Sequence, residues 1–175
     1  MTDTPAARGA RYHSGFYPMH LGLLAVATNV MPIAWWTPIS KEPFRFLLAI
    51  DRKNHSLDLI REHREAVLHF LPFDRRASVI RAGYVSGRRT RKTDRLGFHT
   101  RASETLRDTV VIEGADAAFE LTLASEIERP LGDHVPFVFD VTHVHRGRRP
   151  ASGHPLLFLG YRDFATLGDR DRFRP

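Results

Sequence analysis

Ala118-Phe119-Glu120-Leu121-Thr122-Leu123-Ala124-Ser125-Glu126-Ile127 is the stretch on which the fold class turns. Phe119, Leu121, Leu123 and Ile127 share one face, and Glu120, Thr122 and Glu126 share the other. A period of two marks a strand, and one apolar face beside one polar face marks an antiparallel strand with a solvated side. Beyond the turn Leu131-Gly132-Asp133, the same alternation returns in Val135, Phe137, Phe139 and Val141.

Toward the N-terminus, Leu21 to Thr28 is short, apolar and strand-like. Asn29-Val30-Met31-Pro32 reads as a tight connection, and Ile33 to Ile39 as a second strand. Phe44 to Ile50 gives a third strand, largely buried. The period changes at His55-Ser56, ahead of Leu57, Leu59 and Ile60 and the charged Arg61, Glu62, Arg64 and Glu65. That pattern predicts a short helix with Ser56 as its N-cap, the hydroxyl accepting from a free N–H of the first turn. Ala66 to Leu71 returns to strand character and is closed by Pro72, while residues 74–109 are polar and Arg-rich, with a short helix near Asp74 to Arg81. Leu156 to Tyr161 is the last strand. Several strands, one firm helix and no βαβ periodicity predict a mainly β (α+β) domain, an antiparallel sheet closed into a barrel. Residues 1–16 read as a flexible arm and residues 17–175 as one domain.

The 175 residues are 42% apolar, which suits a globule, and no apolar run approaches the roughly 20 residues that span a bilayer. Met1 to Arg11 is polar and lacks the apolar region of a secretory signal, so a cytoplasmic protein is expected. The chain has no cysteine, which excludes disulfides, thiolate metal sites, iron–sulfur clusters and cysteine nucleophiles. Redox chemistry would therefore require a bound cofactor. The formal charge of +6 serves solubility, attracts an anionic ligand, or attracts nucleic acid. A nucleic-acid face needs aromatics among its basic residues, and the run Arg88 to Arg95 has only Tyr84 and Phe98 nearby, which disfavours it. His143 and His145 share a strand face without a carboxylate ligand pattern, so no metal site is expected. No Ser-His-Asp order, Walker-type loop or Rossmann fingerprint is present.

From Tyr17-Pro18 onward, an ordered series of motifs covers about nine-tenths of the chain. They are Trp36-Thr37-Pro38-Ile39-Ser40-Lys41-Glu42-Pro43, Ala49-Ile50-Asp51-Arg52-Lys53-Asn54-His55-Ser56, Gly83-Tyr84-Val85-Ser86-Gly87-Arg88 and Gly132-Asp133-His134. Their order and spacing resemble the flavin reductase-like family, which includes the flavoredoxins. The resemblance implies an FMN-binding split β-barrel with a few short helices, typically a homodimer with flavin at the subunit interface. It implies transfer of electrons from NAD(P)H, a transient co-substrate, through FMN to a free flavin, a partner protein or a small acceptor. An electron carrier without reductase turnover is the alternative.

The resemblance also carries site residues. Trp36, Thr37, Pro38, Ile39 and Ser40 would meet the flavin edge, with backbone amides and two hydroxyls as donors; a barrel-rim strand with no ligand is the other reading. Arg52, Asn54, His55 and Ser56 stand ahead of a helix whose free amides favour an anion, and would seat the phosphate. Plain helix capping with a solvated Arg52 is the alternative. Ser86, Gly87 and Lys92 would close over the phosphate or receive NAD(P)H, or form a solvated loop. The family's Asp-Lys pair is replaced here by Arg91-Lys92, and the shortened connection at Asn29 puts a flavin contact from that residue in doubt. His134 would face the open side of the flavin as the catalytic residue, or sit exposed in a β-turn.

Overall fold

A computed structural model describes residues 16–127, 132–147, 154–160 and 162–168. The arm expected over residues 1–16 lies outside them except for Phe16, as does Leu131 of the expected turn. The chain begins with β1 (Met19–His20), β2 (Gly22–Val26) and β3 (Asn29–Ile33). The reversal falls at Ala27-Thr28, where Ala27 takes a left-handed φ of 51°, and residues 29–32 are strand rather than connection. Pro32 misleads because β3 is an outermost strand, where a missing N–H costs no ladder bond.

The hairpin β4 (Trp36–Lys41) and β5 (Phe44–Asp51) leads into α1 (His55–His63). The N-cap of α1 is Asn54, whose side chain accepts from the Ser56 amide at 2.9 Å, so Ser56 is a buried first-turn residue instead of the cap. Both residue types cap well, and Asn54 prevails because it holds the extended backbone just ahead of the helix. Next come β6 (Glu65–Phe70), a 3₁₀ turn (Phe73–Arg75), α2 (Arg76–Tyr84) and α3 (Lys92–Arg95). The 3₁₀ turn displaces α2 toward the C-terminus of its expected span. The rest is β7 (Thr100–Arg101), β8 (Val111–Ile112), β9 (Ala117–Glu126), β10 (His134–Arg146), β11 (Leu157–Gly160) and β12 (Asp163–Ala165).

Seven strands form one antiparallel sheet in the order β3-β2-β6-β9-β10-β5-β4. Its two outermost strands, β3 and β4, are joined in sequence by Ala34 and Trp35 alone. Three Cα steps reach about 11 Å at most, whereas a flat sheet would hold its edges roughly 29 Å apart. The sheet must therefore curl until its edges meet, and the Trp35 carbonyl accepts from the Ala49 amide of β5 at 2.9 Å. This is the split β-barrel.

Its interior is filled by Leu24, Ile33, Phe46, Leu48, Leu68, Leu121, Phe137 and Phe139, and Leu57 and Ile60 of α1 close one end. A second core lies on the outside of β2, β3, β6 and β9. There Leu23, Val30, Val67 and Ala118 are covered by Val79 and Ala82 of α2 and by Phe98, Val111 and Ile112. The outer face of β5 and β10 joins neither core: Leu47 lies opposite Val138, and Ala49 opposite Pro136.

The expected solvated face of β9 is covered at Glu120, which is fully buried, while Thr122 and Glu126 are half-buried. Segment 103–109 folds over it, and Glu120 accepts from the Glu104 and Thr105 amides, each at 2.7 Å, and from the Thr105 hydroxyl at 2.6 Å. Arg101 donates to His145 Nδ1 at 2.8 Å, which leaves His145 Nε2 to donate to Glu120 at 2.6 Å. Glu65 accepts from the Arg107, Asp108 and Thr109 amides in the same way. Alternation in sequence reports polarity, and here the polar side chains face backbone donors instead of water. Burial works to raise the Glu120 pKa, but the bonds from Thr105, Glu104 and His145 outweigh it and hold the carboxyl at about 2.

His69 is also fully buried, with Nδ1 donating to the Leu23 carbonyl at 3.1 Å and Nε2 accepting from the Ile112 amide at 2.9 Å. Burial pushes its pKa down from 6.5 to about 4. The unfolded chain therefore takes up this proton first as pH falls. Stability from a neutral His69 is complete above pH 6.5 and is lost toward pH 4, by on the order of 3 kcal/mol. Glu120 adds a second loss as pH falls from 4.5 toward 2. Urea unfolding should show the midpoint falling between pH 6.5 and 4, and His69→Asn should flatten that slope; an unchanged slope would remove His69 from the account.

Candidate functional site

A cleft of about 310 Å³ opens at the seam of the barrel. One wall is the chain from Met31 through Trp35, which leaves β3 and enters the two-residue link. The opposite wall is α2, through Ile80, Gly83 and Tyr84. Helix and strand approach closely there, and a Cβ on Gly83 would lie 3.1 Å from Pro32 Cγ. One end is aromatic, with Tyr17, Phe158 and Phe164. The other is polar, with Asp51 and His134 facing each other across the β5–β10 ladder. The His134 ring lies 4.3 Å from that of Trp35, centroid to centroid, and its Nδ1 donates to Asp133 Oδ1 at 2.7 Å. That bond holds the Asp133 carboxyl below its ordinary range and leaves Nε2 as the second ring nitrogen.

Beside the cleft, at the start of β3, a buried polar cluster forms around Asn29. Asn29 Nδ2 donates to Ser56 Oγ at 2.8 Å, so the Ser56 hydroxyl keeps its own proton to donate elsewhere. Asn29 Oδ1 and His55 Nδ1 are buried with no hydrogen-bond partner among the described residues. Gly87 closes over this group: a Cβ there would lie 2.1 Å from Asn29 Oδ1. Arg88 Nη2 donates to Asp58 of α1 at 2.9 Å and holds the 86–88 turn against the helix. The Lys92 ammonium donates to the Val30 and Ala82 carbonyls at 2.8 and 2.9 Å, tying α3 to β3 and α2, and burial lowers its pKa.

The fold thus brings Asn54, His55, Ser56, Ser86, Gly87 and Lys92 to one region, and puts His134 on the cleft. It does not bring the other candidates there. Trp36 turns inward onto Phe70 at 4.7 Å and Phe46 at 5.9 Å, with Nε1 donating to the His20 carbonyl at 2.8 Å. Thr37, Pro38 and Ile39 are exposed on β4, and neither they nor Ser40 line the cleft. The Arg52 Nε donates to the Gly132 carbonyl at 2.9 Å, and Arg52 lines a separate cleft with Arg61, Glu126 and Val135. The sequence puts a contact from Asn29 in doubt, includes Tyr84 only as part of a motif, and does not mark Met31 to Ala34 as lining a cleft. Once residues 29–32 are read as a turn, a strand leading directly into a ligand cleft is no longer visible. Two five-residue runs of equal length on either side of Ala27-Thr28, apolar apart from Asn29, are the available signal.

A family model described as a flavin reductase like domain matches residues 17–168. The chain belongs to the flavin reductase-like family. This family member is 27% identical over 168 residues to an uncharacterised protein of Archaeoglobus fulgidus, covering 91% of this chain and 93% of that one. Its fold is similar to the FMN-binding protein of Thermus thermophilus, solved with bound 1-cyclohex-2-enone, at 27% identity, a TM-score of 0.82 and coverage of 94% and 93%. The flavoredoxin of Desulfovibrio vulgaris shares the fold at 19% identity and a TM-score of 0.81, covering 99% of this chain and 97% of that one.

Gly87→Ala should force the 86–88 turn off Asn29 and cost about 1–3 kcal/mol, the usual range for overpacking. Thermal unfolding of the single variants and of Gly87→Ala with Asn29→Ala checks this. Truncating Asn29 makes room, so the double variant should lose less than the sum of the two singles. Strict additivity would show that the two residues do not meet.

Proposed function

We propose that this chain binds FMN and acts as a flavin reductase-type oxidoreductase, taking electrons from NAD(P)H and passing them to a free flavin, a partner protein or a small acceptor. The buried cluster of Asn29, Ser56 and Gly87 beside the cleft carries this reading. It has an unpartnered acceptor at Asn29 Oδ1, a hydroxyl with a proton to give at Ser56, and a cradle that a single Cβ would fill. The adjoining cleft is walled by flat and apolar groups with a few polar ones at one end, the lining that suits a planar ring system. FMN presents a ring, hydroxyls and a phosphate, so these residues fit it. The 27% identical Thermus thermophilus relative is itself described as an FMN-binding protein.

When bound, the flavin supplies the hydride and electron chemistry that no side chain of a cysteine-free protein offers. The residues hold and orient. The Ser56 hydroxyl would donate to the phosphate, and Asn54 fixes that turn by capping it. Asn29 would accept from a hydroxyl of the ligand while orienting Ser56. Ser86 and Gly87 would close the phosphate end, and Lys92 would support it from beneath. His134, with Nδ1 fixed by Asp133, would hold or accept a proton at Nε2 beside the nicotinamide or the acceptor. We read the state of assembly as a homodimer formed through the bare outer face of β5 and β10. That face includes Ala49, which also lines the cleft, so a second copy there would wall the site. No helix among the described residues is long and apolar enough to cross a membrane.

The purified protein should be yellow and release FMN on denaturation. A colourless preparation that gains no flavin spectrum on titration with FMN would overturn the proposal. Ser56→Ala should weaken FMN by about tenfold or more and riboflavin far less, whereas Arg52→Ala should leave the ratio of the two affinities unchanged. Equal losses for both ligands in Ser56→Ala would misplace the phosphate. With FMN bound, anaerobic NADH or NADPH should bleach the spectrum within seconds, and His134→Ala should slow bleaching while FMN affinity holds. Absence of bleaching with either nucleotide would favour the electron-carrier reading.

A further inference from the structure

Tyr84 is 70% exposed, although it is a large ring at the mouth of the cleft. Among the described residues it makes no hydrogen bond or ring contact. A ring standing in water beside a cleft loses area to solvent that a flat ligand would remove. Its neighbours are cationic. Arg81 lies three residues earlier on α2, and residues three apart are adjacent on a helix surface. Arg89 follows on the 86–91 stretch that the Arg88–Asp58 pair holds against α1.

Two arginines near this wall are paired: Arg88 with Asp58 at 2.9 Å and Arg91 with Asp94 at 3.6 Å. Arg81 and Arg89 have no acidic or hydrogen-bonding partner among the described residues. Two unpaired guanidiniums, Arg81 one helical turn before the open ring of Tyr84 and Arg89 five residues after it in the chain, suit a purine that carries a phosphate monoester. The aromatic end of the cleft offers no such charge, and its polar end carries Asp51, which would repel one.

We infer that Tyr84 stacks on the adenine of the nicotinamide nucleotide and that Arg81 and Arg89 bind its 2′-phosphate, so that the donor is NADPH and not NADH. This rests on the proposed reading of the cleft as a flavin site that receives a nicotinamide nucleotide. Arg81, Tyr84 and Arg89 belong to the specificity of the site and are separate from the FMN cluster at Asn29.

The test is equilibrium titration of the full chain, with FMN present, using 2′,5′-ADP and 5′-AMP as probes. The 2′,5′-ADP should bind at least about tenfold more tightly, and the preference should fall with salt. Arg81→Ala with Arg89→Ala should bring the ratio close to one, while Arg107→Ala, a remote exposed arginine, should not. Tyr84→Ala should weaken both probes alike, and Tyr84→Phe should restore them. Equal affinity for the two probes in the unaltered protein, or a preference that survives the double substitution, overturns the inference. FMN affinity measured on the same samples separates the two readings. Loss of the nucleotide preference with FMN still bound defeats only this inference, whereas failure to bind FMN at all defeats the flavin reading first.

Discussion

Ala34 and Trp35 are all the chain that joins the two outermost strands of a seven-stranded sheet, and that shortness governs the rest of the molecule. A sheet whose edges are tied by two residues cannot lie flat. Curling encloses one apolar face, which becomes the barrel core, and leaves the convex face to be covered by other means. Over β2, β3, β6 and β9 the cover is α2 and the segment from Phe98 to Ile112. Where Leu47 and Ala49 of β5 lie opposite Val138 and Pro136 of β10, neither core reaches.

The site follows from the same tie. Where the edges meet, backbone and side chains from β3, the link and β5 converge, and α2 approaches β3 closely enough to put Gly83 beside Pro32. The cleft is the space left at the seam. The polar cluster at Asn29 sits beside the N-terminus of α1, so an apolar cleft and the start of a helix adjoin.

The strands that alternate, β9 and β10, were legible because periodicity survives any later folding. The barrel class followed from their number and from the absence of βαβ units. What stayed hidden was long-range. Glu120 looks like a solvated residue until segment 103–109, some fifteen positions earlier, is seen to donate two amides and a hydroxyl to it. Asn54 and Ser56 are both good caps, and only the backbone path chooses between them. That Asn54 to Ser56 and Ser86-Gly87 belong to one region is legible for a local reason: they stand at turns, where local chemistry is visible. The stretch from Trp36 to Ser40 carried the strongest motif, yet it runs along an edge strand away from the cleft. A contact from Asn29 is in doubt in the sequence because the connection from Asn29 to Pro32 looks shortened, whereas those residues are strand.

Pro32 and Pro38 occupy the two outermost strands of the sheet, and the ladder is further broken between Pro38 and Ser40. Strand prolines are tolerated at edges because their donorless nitrogen turns away from the neighbouring strand. Such an edge is a poor template for an incoming strand from another chain. The two prolines thus guard the seven-stranded sheet against strand addition at the very edges that its curl brings together.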